Sequence, residues 1–262
     1  MKMNKHNTDV RFDIMTLFPA EVDSFLSSSI IGRARNNGLI TVKCHNIRDY
    51  TKDKHNRVDD YAYGGGKGMV MQPQPIVDCF NAIKAEVPET YCIYLSPKGK
   101  RFTQNRAKKL LKKKNITLLC GHYEGIDQRA IDLIVDEEIS IGDFVLTGGE
   151  LGAMIIVDSV SRMVEGVLSD SSCYEDESIY SGLLEYPQYT RPPVFMGLEV
   201  PKVLQEGNHK LIDAWKKEQS LAITKERRKD LYTKYMNRKA VRLEEEKRRK
   251  KEHQKLRYSK KK

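Results

Sequence analysis

Apolar residues fall in short bursts along the first 163 positions, and the bursts alternate between two rhythms. Dense runs at Val10–Leu17, Leu39–Asn46, Tyr91–Leu95, Ile116–Cys120 and Ile139–Leu146 predict buried strands, most of them bounded by Gly or Pro. Between them, Glu21–Arg35, Pro75–Ala85, Thr103–Lys112 and Asp127–Val135 predict helices, with Thr103 placed to cap its own. A further helical run extends from Glu150 to Met163. This alternation predicts an α/β layer around a mostly parallel sheet. The rhythm then stops. Residues 169–181 are dominated by Ser, Asp and Glu and predict a flexible linker. Tyr186–Val200 is proline-bearing and irregular, and from Asn208 the pattern is helical almost to the end. The predicted organisation is therefore an α/β domain at 1–168, a linker at 169–181 and a small helical domain at 182–262. Trp215, the only tryptophan, is the expected core anchor of the last.

Three of the predicted strands end in glycine-bearing loops. These are Leu95-Ser96-Pro97-Lys98-Gly99, Cys120-Gly121-His122-Tyr123-Glu124-Gly125-Ile126-Asp127, and the stretch from Gly142 to Gly148-Gly149. Glycine lets main chain approach main chain or ligand without a Cβ between them. Gly142 weakens the strand it interrupts and predicts a bend or close contact. Each loop alone is ordinary strand–turn–helix punctuation; three within about sixty residues suggest one ligand site built from loops.

Charge becomes informative once it is located. The chain carries +10 over 262 residues, yet residues 225–262 hold 18 Lys and Arg against 6 Asp and Glu, which leaves the remainder at −2. A basic segment of that kind attracts polyanions, nucleic acid foremost; a solvated tail is the alternative. The run Glu244-Glu245-Glu246 before Lys247–Lys251 can support a solvent helix through i,i+4 pairs. No apolar run reaches the roughly 20 residues of a membrane span, and Met1–Asp9 lacks a signal-peptide core. The five cysteines (Cys44, Cys79, Cys92, Cys120, Cys173) form no CxxC pair, so a reduced, cytoplasmic protein without structural zinc is expected. Gly64-Gly65-Gly66-Lys67-Gly68 does not fit GxGxxG in any frame, and neither a P-loop nor HExxH occurs. His122 and His209 are expected as surface or RNA contacts rather than metal ligands.

The three loops, in spacing and identity, resemble the bacterial tRNA (guanine-N1)-methyltransferases that modify the guanine at position 37, of the knotted SPOUT class. The likeness continues through Phe12–Pro19, Val58–Met69, Asp158-Ser159-Val160-Ser161-Arg162, Gly182-Leu183-Leu184-Glu185-Tyr186-Pro187-Gln188-Tyr189-Thr190-Arg191-Pro192 and Gly207-Asn208-His209, covering roughly residues 10–224. It implies a trefoil knot formed by the cofactor loops, a homodimer with a shared active site, and a C-terminal domain that binds tRNA carrying G37. It also implies S-adenosyl-L-methionine as methyl donor. Leu95, Ser96 and Pro97 would form one wall of its site and Gly121, Tyr123, Glu124 and Gly125 another. Ile141, Gly142, Asp143, Phe144, Val145, Leu146, Gly148 and Gly149 would form the third. Main-chain N–H and C=O groups exposed by glycines suit a neutral adenine. No metal site is expected, although the resemblance leaves room for Mg2+.

Guanine N1 carries a proton at neutral pH, so methylation there needs a base to remove it and a cation to stabilise the charge spreading onto O6. The resemblance assigns the cation to Arg162, whose planar fork suits a guanine edge. The family's base is an aspartate five residues before the glycine of the GLL segment; here that position is Glu177, with Asp176 as the rival. Two further departures are Gly152 and Glu165, where the family usually has proline. Two alternatives stay open: a related knotted RNA methyltransferase with another acceptor, or a non-catalytic RNA-binding factor on the same fold.

Overall fold

The computed structural model describes residues 10–168, 179 and 182–259, with side chains through residue 249. These fall into two compact units divided near residue 171. In the first, strands β1 (Val10–Thr16), β2 (Ile40–Asn46), β5 (Tyr91–Arg101), β6 (Asn115–Leu119) and β7 (Glu137–Ser140) form one sheet in the order β2-β1-β6-β5-β7. Every pairing in it is parallel. Phe12, Ile14, Ile93, Ile116 and Leu118 are fully buried, as expected where helices cover both faces. The covering helices are α1 (Pro19–Leu26), α2 (Ser29–Asn36), α3 (Pro73–Glu86), α4 (Gln104–Leu111), α5 (Gln128–Ile134) and α6 (Glu150–Ser161). Thr103 does cap α4, its hydroxyl accepting from the Arg106 N–H.

One charged group lies inside the layer. Asp13 in the middle of β1 is fully buried, bonded by Arg11 at 2.8 and 2.9 Å and by His45 at 2.8 Å. Burial pushes its carboxyl up, but the hydrogen bonds from His45 and Arg11 outweigh burial and hold it below the ordinary value.

Three elements differ from expectation. The single helix predicted over Glu21–Arg35 is two, parted at Ser27-Ser28, where the Ser28 hydroxyl bonds the Phe25 carbonyl and Ser29 takes φ +52°. The strand predicted over Ile139–Leu146 stops at Ser140; the Ser140 hydroxyl brackets Gly142, accepting from its N–H at 3.2 Å and donating to its carbonyl at 2.9 Å. Residues beyond leave the sheet, and Phe144 and Val145 are 55% and 84% exposed. Strand β5 runs past Leu95 to Arg101, with a register break that sets both Leu95 and Lys100 opposite Ile139. A short antiparallel hairpin, β3 (Asp59–Tyr61) with β4 (Met69–Met71), frames the glycine-rich segment.

In the second unit a two-stranded hairpin, β8 (Val194–Phe195) with β9 (Leu198–Glu199), precedes helix α7 (His209–Arg227), capped by the Asn208 side chain. Trp215 lies half-buried between the rings of Tyr186 and Tyr189, at 6.4 and 6.3 Å. The chain then continues in one long helix, α8 (Lys229–Ser259).

Candidate functional site

The C-terminal ends of β5, β6 and β7 lie side by side in a parallel sheet, which is where such sheets collect ligand-binding loops. The first of the three stretches is the register break after Leu95 within β5, where the buried Ser96 hydroxyl accepts from the Lys98 N–H at 3.2 Å. The second follows Leu119 and is pinned from outside by β4. Glu124 N–H donates to Met69, Met71 N–H to Gly125 and Asp127 N–H to Met71, all at 2.9–3.0 Å. Within it Tyr123 adopts φ +58°, a conformation a tyrosine holds only at a cost of about 1–3 kcal/mol, met here by those flanking bonds. The third loop runs from Ile141 to Gly149 and opens α6.

The second and third loops are joined at one point. Gly149 N–H donates to the Gly121 carbonyl at 3.0 Å. A Cβ on Gly149 would stand 2.7 Å from Cys120 Cα and 3.1 Å from Gly121 N, so only glycine permits this approach. Beside it, Glu150 at the start of α6 accepts from Thr16 Oγ1 at 2.7 Å with one oxygen, and its other oxygen lies 3.1 Å from His122 Nε2. The His122 ring packs on Phe18 at 4.9 Å. That relay fastens the second loop to α6 and to the end of β1.

Between the loops lies a cavity of about 190 Å³. One water needs roughly 10–15 Å³ on the same measure, so the space admits a small organic molecule. Its wall includes every residue assigned to the cofactor from the sequence except Asp143: Leu95, Ser96, Pro97, Gly121, Tyr123, Glu124, Gly125, Ile141, Gly142, Phe144, Val145, Leu146, Gly148 and Gly149. The Asp143 side chain instead pairs with Arg101 and is largely exposed. Tyr94, His122, Ile139, Ser140, Thr147 and Gly152 also line the cavity, beyond the residues the resemblance implies. Thr147 and Gly152 adjoin assigned residues, whereas His122 was read only as a surface or RNA contact.

Burial beside Glu138 raises the Tyr94 phenol in the wall, and burial with Glu150 nearby raises the thiol of Cys120, next to the wall residue Gly121, well above its usual range. Among the described residues no group of three or more His, Cys, Asp or Glu side chains could hold a metal ion. No described helix is long and apolar enough to cross a membrane.

Arg162 caps the far end of α6, thirteen residues beyond Gly149, and does not line the cavity. Glu177 and Asp176 lie outside the described residues.

Residues 10–234 match the family described as tRNA (guanine-1)-methyltransferase TrmD. Similar proteins include a tRNA (guanine-N(1)-)-methyltransferase of Clostridioides difficile (strain 630), 56% identical over 227 residues, which are 86% of this chain and 98% of that protein. Another, from Alkaliphilus oremlandii (strain OhILAs), is 56% identical over 224 residues, 83% of this chain and 90% of the relative. A third, from Clostridium botulinum (strain 657 / Type Ba4), is 57% identical over 226 residues, 86% and 93% respectively.

Proposed function

Because the chain belongs to the tRNA (guanine-1)-methyltransferase family, we infer that it is an enzyme moving a methyl group from S-adenosylmethionine to N1 of guanine 37 in tRNA. The observation that carries this is the single cavity walled by all three glycine-bearing loops, in a chain matched to the family from residue 10 to 234. When bound, S-adenosylmethionine supplies an electrophilic methyl group. The residues present fit such a ligand: Gly121, Gly125 and Gly148 put no Cβ between main chain and cavity, and apolar Leu95, Ile141 and Leu146 offer flat contacts to an adenine. The loops belong, on this reading, to the family's trefoil knot.

The chain's own residues prepare the guanine. Glu177 takes the N1 proton, and Asp176 is the competing base. Arg162 holds the negative charge that spreads onto O6, a role suited to a fixed guanidinium. The length of α6 supports a site shared between two chains. Twelve helical residues span about 18 Å, so Arg162 and the cavity of one chain stand at opposite ends of α6. A second copy would bring its Arg162 and linker carboxylate to the first copy's cavity. The exposed apolar residues Phe144, Val145, Leu151 and Ile155 are candidates for the face such a partner covers. Buried Cys79, Cys92 and Cys120 accord with a reduced, cytoplasmic setting.

Labelled S-adenosylmethionine incubated with G37 or A37 transcripts, followed by nucleoside analysis, tests the reaction. Label in 1-methylguanosine from G37 alone supports it, and no label on either transcript removes it. Glu177→Gln against Asp176→Asn identifies the base. Mixing Arg162→Ala chains with an inactive cofactor-loop variant restores activity only where the two halves come from different chains.

A further inference from the structure

The family match stops at residue 234, and the Clostridioides difficile relative is 98% covered by 227 residues of this chain. Residues 235–262 therefore extend past the shared enzyme. They hold 13 Lys and Arg against 4 Glu, which is nine of the chain's ten net positive charges. Through residue 259 they continue helix α8. From Met236 to Arg249 every side chain is exposed, so this part of the helix buries nothing in the described fold. A helix polar all round is held by its own charge pairs, and the spacing of Glu244, Glu245 and Glu246 to Lys247, Arg248, Arg249 and Lys250 at i,i+3 and i,i+4 supplies them in the favourable order.

We propose that the helix through residues 235–259 is an added arm that grips the phosphates of the tRNA substrate without reading sequence. The proposal rests on the tRNA reading above. After the glutamates come five consecutive cations, Lys247 to Lys251. Successive helical residues turn by about 100°, so five consecutive positions go all the way round the helix axis. An anionic membrane needs the opposite design, a continuous apolar face opposite the charges. Here Val241 and Leu243 are isolated among charged neighbours. The described arm from Ala240 to Ser259 is about 30 Å long, enough to follow a phosphate backbone over many nucleotides. Contacts of this kind position and tether; they do not specify a base.

The test is steady-state methyl transfer by the full chain and by a chain ending at Lys239, across a range of salt. The cut keeps Tyr235, which lies under Lys217 at 4.6 Å, and Arg238, near Gly182. Each phosphate contact contributes about 0.7–0.9 to the log–log salt slope, so two or more lost contacts lower the slope of kcat/KM by at least about 1.4. The expected result near 0.1 M salt is a KM for tRNA raised more than about tenfold with kcat within about twofold. A full-length variant with Lys247, Arg249 and Lys251 all changed to Gln keeps the helix and moves KM and slope in the same direction. Unchanged KM and slope in both variants overturn the arm, as does a fall in kcat with the slope intact. Tighter binding of the full chain to phosphatidylserine vesicles with no change in KM assigns the arm to membranes and overturns it too. Should the full chain methylate no tRNA, the enzymatic reading fails on its own. The salt slope of tRNA binding by the two chains then still decides the arm.

Discussion

Substituting Gly149 by alanine tests the junction on which the cavity depends. The new methyl would stand 2.7 Å from Cys120 Cα, where carbon atoms rest at about 3.5–4.0 Å, so the loops must part by about 1 Å. Neither neighbour is the end of a flexible side chain. The 3.0 Å bond from Gly149 N–H to the Gly121 carbonyl would then exceed hydrogen-bonding range, a loss of about 0.5–1.5 kcal/mol. Overpacking adds about 1–3 kcal/mol. The sum, about 1.5–4.5 kcal/mol, lowers Tm by roughly 3–18 °C for a unit of this size. Function should fall further than stability, because a 1 Å error in a reactive geometry costs on the order of 10²-fold in rate. Differential scanning calorimetry, titration calorimetry with S-adenosylmethionine and the methyl-transfer assay measure the three effects. Gly38→Ala is the control: Gly38 has φ +71° but open space around it and no part in the cavity wall, so it should lose stability and keep cofactor affinity. A Gly149→Ala enzyme with wild-type affinity and rate would refute the argument.

Glu150→Ala strips a partner from the buried Thr16 hydroxyl and from His122; it should cost about 1–3 kcal/mol in thermal unfolding, with Glu150→Gln costing clearly less. Asp13→Asn should cost about 3–5 kcal/mol at pH 7, because it leaves Arg11 and His45 facing a neutral group. The Asp13 carboxyl is held below its unfolded value near 3.9, so its contribution is complete above that pH and fades as pH falls toward the folded value. Acid titration of stability should therefore drop less steeply below about pH 4 in Asp13→Asn than in the parent. Burial pushes the Cys79 thiol up to about 12 and raises those of Cys92 and Cys120 well above the ordinary range. Iodoacetamide at pH 8 should leave all three unlabelled in peptide mass spectra until denaturant is added, and rapid native labelling of any of them would contradict the packing.

The parallel sheet could be located in the sequence because a strand covered on both faces must be largely apolar, as β6 is and β5 is through Leu95, while β1 shows Val10, Phe12, Ile14 and Met15 around its buried Asp13. The same rule misled at Ile139–Leu146. An apolar run does not distinguish a core strand from the wall of a ligand cavity, and Phe144 to Leu146 line the cavity rather than the sheet. The break at Ser27-Ser28 is made by a local side-chain bond that carries no periodic signal. Strands of three residues, such as β3 and β4, are shorter than any pattern that would reveal them. The glycines make three loops around one site legible, while the individual wall residues follow from the family resemblance. The His122–Glu150–Thr16 relay was not. Its members are brought together by the adjacency of β1, β6 and α6, which is decided by the whole sheet and not by neighbours in sequence.

The cavity is assembled from positions near 95, 121 and 149, and none of its walls is complete without the others. A ligand seated there is therefore also a brace across the ends of three adjacent strands. Because the dispersed chain offers no such pocket, every molecule bound shifts the folding balance as well as filling a site. At a hundred times its dissociation constant, a ligand adds about 2.7 kcal/mol to the stability of the protein it occupies. The supply of methyl donor in the cell would thus set how long each copy of this enzyme survives, in addition to how fast it works.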